Sequence, residues 1–262
     1  MTRRVWILLG AILLAVFAVY LFPAIPQSEA YHNFADKRAF LGVPNFFNVA
    51  SNVLFLFVGL PGMWFALRAA ESGAFLDPRE RWPYFAFFAG VTLTAFGSAW
   101  YHWNPNDHTL VWDRIPMTIS FMSLVAALVA ERIDVAAGVR LLFPLIAIGA
   151  GSVVYWEVTQ SHGRGDLRPY AIAQFGSVLV LLLIIALFSP RYTRTLDFAV
   201  SLALYGVAKT FEAADRIVFS FMRVVSGHTI KHAFAALSAY WILRMLRLRK
   251  ASGDADSASP SA

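Results

Sequence analysis

The composition of this 262-residue chain excludes an ordinary soluble protein, because 58% of its residues are hydrophobic and only 15% are charged, whereas soluble domains carry about 25% charged residues. The chain has no cysteine, so disulfide bonds and thiolate metal sites are excluded, and any metal must be bound by His, Asp or Glu. The net charge of +6 suits either a polyanion such as nucleic acid or a membrane protein, and the positions of the charges distinguish the two.

Eight apolar segments approach or exceed the length of about 20 residues that crosses a bilayer. They lie at 5–22, 45–69, 83–103, 110–130, 139–158, 169–188, 195–213 and 227–246. They predict an all-α, multi-pass membrane protein with a seven-helix core and an extra N-terminal hydrophobic helix. We divide the chain into an N-terminal anchor or signal segment (1–30), a seven-helix membrane domain (31–250) and a small, polar, disordered tail (251–262).

The first apolar segment has two interpretations. Its basic start, its apolar run and the following Ser28-Glu29-Ala30, a small-x-small cleavage site, fit a cleaved signal peptide. The same run is long enough to remain as an uncleaved anchor. In both cases the loop that follows lies outside the cytoplasm.

The basic residues lie at alternate ends of successive segments, which is the positive-inside pattern of membrane proteins. They are Arg3, Arg4, Arg68, Arg79, Arg81, Arg132, Arg140, Arg191, Arg194, Arg244, Arg247, Arg249 and Lys250. This pattern places both termini in the cytoplasm, as eight spans require. The positive charge therefore indicates topology, and we expect no nucleic-acid partner.

Polar groups within the segments are the main functional signal, because ionisable residues in a bilayer are costly and mark function or internal pairing. Ser98 and His102 share a helix face near the outer end of the third segment. Asp113 lies at the outer start of the fourth segment, and His228 and His232 share a face at the outer start of the eighth. The topology predicts that these five groups lie at similar depth, near the non-cytoplasmic face, where they could meet.

Three imidazoles with one open position are a common catalytic zinc arrangement. Asp113 would then serve as a general base, and Ser98 would stabilise an oxyanion or hydrogen-bond a ligand. The pattern predicts zinc-assisted hydrolysis of a substrate reached from the membrane. Simpler interpretations stay open: Asp113 could pair with Arg114, Ser98 could serve close helix packing, and the histidines could be core residues.

Other polar residues have less specific expectations. Glu157, Lys209, Glu212 and Asp215 are expected to form a buried charge network in which Lys209 and Glu212, three residues apart, pair on one helix face. His108, in a loop, is expected to be solvated.

The ordered motifs NVASNVLFLFVGL (48–60), FGSAWYHW (96–103), Asp113 and SGHTIKHAF (226–234) resemble the alkaline ceramidase family. Its wider superfamily of seven-helix membrane proteins includes the adiponectin and progestin-type receptors. The resemblance covers about residues 45–246 and implies that His102, His228 and His232 bind zinc, with Asp113 at the attacking water and Ser98 beside the metal. It also implies a sphingolipid substrate, ceramide, whose amide is cleaved to a long-chain amine base and a fatty acid.

The chain also departs from that family. Animal members carry an acidic calcium-binding segment before the first core helix, and here only Asp36 and Asn45 are candidate Ca²⁺ ligands, with Lys37 and Arg38 beside them. The positive-inside pattern, the lack of cysteine and the added N-terminal segment suggest a bacterial inner-membrane member with its active site near the non-cytoplasmic face. Because few bacteria make ceramide, another amide or ester lipid is an alternative substrate.

Two further classes of function stay open. A non-enzymatic seven-helix receptor, or a metal-stabilised structural protein, would use the same fold without turnover. A transporter would use Glu157, Lys209, Glu212 and Asp215 as an ion path, although the sequence has no paired broken helices or inverted repeat. The oligomeric state is not predicted.

Overall fold

The computed structural model describes residues 2–68 and 73–252, and its regular elements within these ranges are helices, with no strand. The α-helices are α1 (Arg3–Tyr20), α2 (Phe46–Ala50), α3 (Val53–Arg68), α4 (Arg81–Trp103), α5 (Asp107–Arg132), α6 (Val135–Ser161), α7 (Arg168–Ala171), α8 (Ser177–Leu187), α9 (Leu196–Ala213), α10 (Asp215–Met222) and α11 (Gly227–Leu248). Short 3₁₀ turns occur at Glu29–His32 and Pro78–Glu80, and a π-helical turn, Ile172–Gly176, joins α7 to α8.

Five stretches of the described residues are long and apolar enough to cross a membrane: Arg3–Tyr20, Phe46–Arg68, Asp107–Arg132, Val135–Ser161 and Arg168–Leu187. A polytopic helical membrane protein therefore fits the structure. The three other predicted spans are also helical, as α4, α9 and α11, but they do not meet the same standard of length, apolar content and charge. The seven-helix count stays a prediction. The disordered tail (251–262) also stays a prediction, because residues 253–262 lie outside the described part of the chain.

Helix α5 occupies the centre of the bundle, where it packs against α4, α6 and α8. Its start is fixed by a capping box, in which Asn106 Oδ1 accepts from the Thr109 amide at 3.0 Å and Thr109 Oγ1 accepts from the Asn106 amide at 3.2 Å. Only residues 104–106 separate α4 from α5. The end of α4 therefore lies beside the start of α5, and His102 and Asp113 come from this corner.

Gly97 allows the closest approach between α4 and α5. A Cβ atom at this position would lie 1.8 Å from the carbonyl oxygen of Trp112, which is far inside van der Waals contact. A side chain at residue 97 would therefore force the two helices apart. Because Ser98 and Asp113 are the next residues on the two helices, this contact also sets their separation.

A buried ionic cluster ties the helices together at the opposite end of the bundle. The Glu131 carboxylate pairs with Arg249 and accepts from Tyr84 Oη at 2.8 Å. Glu80, which is fully buried, pairs with Arg191 at 2.9 Å and accepts from Tyr192 Oη. These contacts join the segment just after α11 to α4 and α5, and so they limit sliding of α11 along its axis.

Gly97→Ala is expected to lower the midpoint of thermal unfolding in detergent, because overpacking against backbone costs about 1–3 kcal/mol or more. The control is Gly151→Ala in α6, where an added Cβ would meet nothing within 4 Å. That change should be neutral or stabilising by about 0.5–1 kcal/mol, since alanine favours a helix interior. Equal midpoints for the two variants would contradict the close approach.

Candidate metal centre

The structure brings His102, His228 and His232 together. His102 lies in the last turn of α4, and the other two lie in the first two turns of α11. One ring nitrogen from each residue lies within 4.8 Å of the others, and all three side chains are buried. Within the described residues this is the cluster of His, Asp or Glu that could hold a metal ion.

The arrangement fits a metal ion on two observations. The Nε2 atoms of His102 and His228 are 3.3 Å apart. Two imidazole nitrogens that each lie 2.0–2.1 Å from one tetrahedral metal ion are separated by about the same distance. Nε2 of His232 is buried and has no hydrogen-bond partner in the described part of the chain. An unsatisfied buried polar atom is costly, and a metal would satisfy it. Imidazole ligands suit zinc, copper, iron and nickel, so this ligand set is compatible with any of these metals.

Ser51, between α2 and α3, orients the ring of His232. Its hydroxyl lies 2.7 Å from Nδ1 of His232 and can donate to the carbonyl oxygen of Asn48 at 3.2 Å. With that donation made, the serine oxygen accepts the Nδ1 proton, and the lone pair of Nε2 is left for a metal. Such outer hydrogen bonds set the tautomer of metal-binding histidines.

Several local contacts fix the start of α11. Ser226 caps the helix by accepting from the Thr229 amide at 3.2 Å. Gly227 is required because a Cβ there would lie 2.4 Å from the carbonyl oxygen of Phe211. Asp215 accepts from the backbone amides of His228 at 2.8 Å and Ala35 at 2.9 Å. Asp215 therefore joins α10, α11 and the N-terminal loop at the histidine cluster.

Asp113 and Ser98 are both buried and line one cavity with His232. The interpretation of Asp113 as the ion-pair partner of Arg114 is wrong. The Arg114 guanidinium instead donates to Gln27 at 2.5 Å and lies over the rings of Trp156 and Tyr170 at 4.3 and 4.5 Å. Successive helical residues point in directions about 100° apart, so Asp113 remains directed to the cavity beside Ser98.

A lysine that the sequence interpretation overlooked completes the cluster. Lys231 Nζ lies 2.9 Å from Glu212 Oε1 and 3.2 Å from Nε2 of His228. Glu212 also pairs with Lys209, which confirms the predicted contact between these two residues. The sequence did contain an indication of this role, because Lys231 is a charged residue between the two histidines of a largely apolar segment.

The predicted four-residue charge network is wrong for two of its members. Glu157 pairs with His108 at the surface, although His108 was expected to be only solvated. Asp215 binds backbone amides rather than a lysine. The helix periodicity identified Lys209 and Glu212 as neighbours, whereas the partners of Glu157 and Asp215 come from other elements and depend on tertiary packing.

Residues 21–45, which we call the covering loop, close the histidine cluster from outside. The Phe34 ring lies with its centroid 4.7 Å from those of both His102 and His228. Tyr31 Oη donates to Glu212 at 3.3 Å. His32 bonds to Tyr101 and to Asp107, both at 3.0 Å. Sequence reasoning placed this loop outside the membrane but did not predict that it covers the cluster.

Two cavities meet at the cluster. The inner cavity, of about 350 Å³, runs from Asp113 and His232 into the bundle and has mostly apolar walls. The outer pocket, of about 240 Å³, is lined by Phe34, Asp215 and His228 among others. Tyr31 and Glu212 line both. The histidines therefore lie between an apolar space and a polar one.

The two candidate calcium ligands have other partners. Arg38 donates to both carboxylate oxygens of Asp36, at 2.8 and 2.7 Å. Burial works against the charge of Asp36, but the hydrogen bonds from Arg38 hold the pKa of Asp36 below its ordinary value. Asn45 donates to the carbonyl oxygen of His102 at 2.9 Å. These contacts explain both residues without a calcium ion, and Asn45 supports the end of α4.

Comparisons with known proteins do not add to this description. No protein-family model matches the chain, and no curated protein matches it.

Protein purified without chelators is expected to carry about one metal ion per chain, since three buried imidazoles form a complete protein ligand set. His228→Ala and His232→Ala should each lose most of that metal by elemental mass spectrometry. His162→Ala, at an exposed position after α6, is the control. Full metal content in the first two variants would refute the centre.

Ser51→Ala should weaken metal binding about 10- to 100-fold, the usual effect of removing an outer hydrogen bond to a ligand. Competition with a chelating dye measures this affinity. Ser161→Ala, which removes an exposed hydroxyl at the end of α6, should leave it unchanged. An unaltered affinity in the Ser51 variant would show that Ser51 does not orient the ligand.

Proposed function

We propose that the protein is a zinc-dependent intramembrane hydrolase of the alkaline ceramidase type. It would cleave the amide bond of ceramide or a ceramide-like lipid to a long-chain amine base and a fatty acid. The observation that supports this most is the position of Asp113, a buried carboxylate without an ion-pair partner in the described residues, on the cavity wall that also carries Ser98 and His232. A purely structural metal site would need neither Asp113 nor Ser98.

Each residue of the site has a chemical task in this proposal. Zinc, held by His102, His228 and His232, would polarise the amide carbonyl and lower the pKa of a water molecule. Asp113 would orient that water and take its proton as the oxygen adds to the carbonyl carbon. Ser98 would donate to the oxygen that becomes negative. Asp113 would then give the proton to the amine nitrogen as the C–N bond breaks, leaving a fatty acid.

The shape of the cavities supports a lipid substrate. Asp113 and Leu124 both line the inner cavity and are about three helical turns, or about 16 Å, apart along α5. Such a space would hold a hydrocarbon chain with its amide at the histidines. The outer pocket would take the polar end of the lipid, and Phe34 and Tyr31 would restrict access of bulk water to the reacting amide.

The membrane arrangement belongs to the same proposal. We count α4, α9 and α11 as spans in addition to the apolar stretches, which gives seven core helices after α1. Arg132, Arg191 and Arg249 lie at the end of the bundle away from the histidines, and the positive-inside rule assigns that end to the cytoplasm. The site would then lie near the non-cytoplasmic face of a bacterial inner membrane.

Asp113→Asn should keep its metal and lose about 10²- to 10⁴-fold in turnover, the usual contribution of a general base. The assay measures the fatty acid and the amine released from ceramide and from a total lipid extract, with metal content determined in parallel. Asp134→Asn, which alters only the cap of α6, is the control. The base assignment fails if the Asp113 variant hydrolyses lipid undiminished.

Two other outcomes would redirect the function. A metal-free preparation with full activity would exclude the zinc mechanism. A preparation that binds metal but releases no fatty acid from any lipid would favour the receptor or structural alternative.

A further inference from the structure

A polar pair in the inner cavity has no part in the chemistry proposed above. Gln174 lies in the π-helical turn Ile172–Gly176, is 4% exposed and lines the apolar cavity. A π-helical turn inside a helix is rare and is frequent at functional sites. Here it joins α7 to α8 and carries the amide of Gln174 into contact with α9.

The partner of Gln174 is Tyr205 on α9. Gln174 Nε2 donates to Tyr205 Oη at 2.7 Å, and the Tyr205 ring packs edge-on against Phe121. Across residues 2–68 and 73–252, the side-chain oxygen Oε1 of Gln174 accepts no hydrogen bond, although its backbone oxygen accepts from Ser177, and the hydroxyl proton of Tyr205 has no acceptor. At least one acceptor and one donor are therefore left over beside the cavity, because the Gln174 amide also carries a second N–H.

This count does not depend on which way the Gln174 amide is turned. With the amide rotated by 180°, the carbonyl oxygen would accept from Tyr205, leaving an amide N–H donor and a phenol oxygen acceptor. In either orientation the pair presents at least one donor and one acceptor, and a single hydroxyl group can bond to one of each. A carbonyl or a carboxylate would satisfy only the donor.

We propose that Gln174 and Tyr205 bind a hydroxyl group on the hydrocarbon chain that occupies the inner cavity. The substrate class is then a hydroxylated lipid amide, and this part rests on the proposed function. Tyr205 lies two turns, or about 10 Å, along α9 from Glu212, which contacts Lys231 beside the histidines. The hydroxyl is therefore on the chain within the bundle and separate from the reacting amide.

Selectivity follows from the cost of burying the pair unsatisfied. A plain chain would cover the free donor and acceptor without bonding to them, and a site built to bond a hydroxyl discriminates strongly against the analogue that lacks it. Ser201 and Ser238 line the same cavity but bond to each other and to each other's carbonyl groups. They need no ligand and provide a matched control.

The test measures binding and does not require turnover. Palmitic acid and a series of monohydroxypalmitic acids compete for the purified protein with a fluorescent fatty acid in detergent. We expect at least one hydroxylated isomer to bind about tenfold or more tightly than palmitic acid. The double variant Gln174→Met/Tyr205→Phe removes both polar groups and should abolish this preference, with palmitic acid bound as tightly or more tightly than before, whereas Ser238→Ala should retain the preference.

Two outcomes would overturn the proposal: no isomer is preferred by the unaltered protein, or the preference persists in the double variant. Binding of palmitic acid and the thermal midpoint verify that each variant is folded. If the protein hydrolyses lipid amides, the preferred isomer should also raise kcat/KM as its amide. If the protein hydrolyses no lipid amide, a hydroxylated lipid amide is not its substrate and the proposed function fails as well. The binding preference still decides whether Gln174 and Tyr205 recognise a hydroxyl group.

Discussion

Burial of three imidazole rings at one point is the constraint on which the rest of this structure depends. His102, His228 and His232 are almost completely removed from solvent, and each polar atom left without a partner costs about 1–3 kcal/mol. One nitrogen of each ring lies close to those of the other two. Nδ1 of His232 bonds to Ser51, and Lys231 Nζ lies 3.2 Å from Nε2 of His228. Among the described residues Nε2 of His232 and Nδ1 of His102 have no partner, and a metal ion bound by the three rings would satisfy the first of these.

The helices hold this point from both ends of the bundle. Gly97 lets α4 and α5 approach until Ser98 and Asp113 lie side by side. α11 is held near the histidines by Asp215, and the residue after its other end, Arg249, pairs with Glu131. Because a shift of one turn would move a histidine about 5.4 Å, the distant ionic cluster also keeps the three histidines in register.

Helix positions and the meeting of polar groups were predictable, because apolar length and alternating topology are local properties. The seven-helix count stays a prediction, for a physical reason: α4, α9 and α11 carry Ser98, His102, Lys209, Glu212, His228 and Lys231, and these polar residues lower the apolar content that identifies a span. The covering loop was also unpredictable, because Phe34 reaches the histidines through tertiary contacts without any periodic pattern. Arg114 was misjudged because adjacency in sequence does not mean adjacency in space on a helix.

Two carboxylates lie at the cluster, and their surroundings separate their roles. Glu212 is bonded by Lys209 and Lys231 and accepts from Tyr31, so its lone pairs are engaged and its charge is compensated. Asp113 has no salt bridge in the described part of the chain, since Arg114 is held away by Gln27, Trp156 and Tyr170. When two titratable groups share a site, such differences assign the acid–base role to one of them. In the proposed mechanism Glu212 would then hold Lys231 and the covering loop, and Asp113 would be the carboxylate that moves a proton.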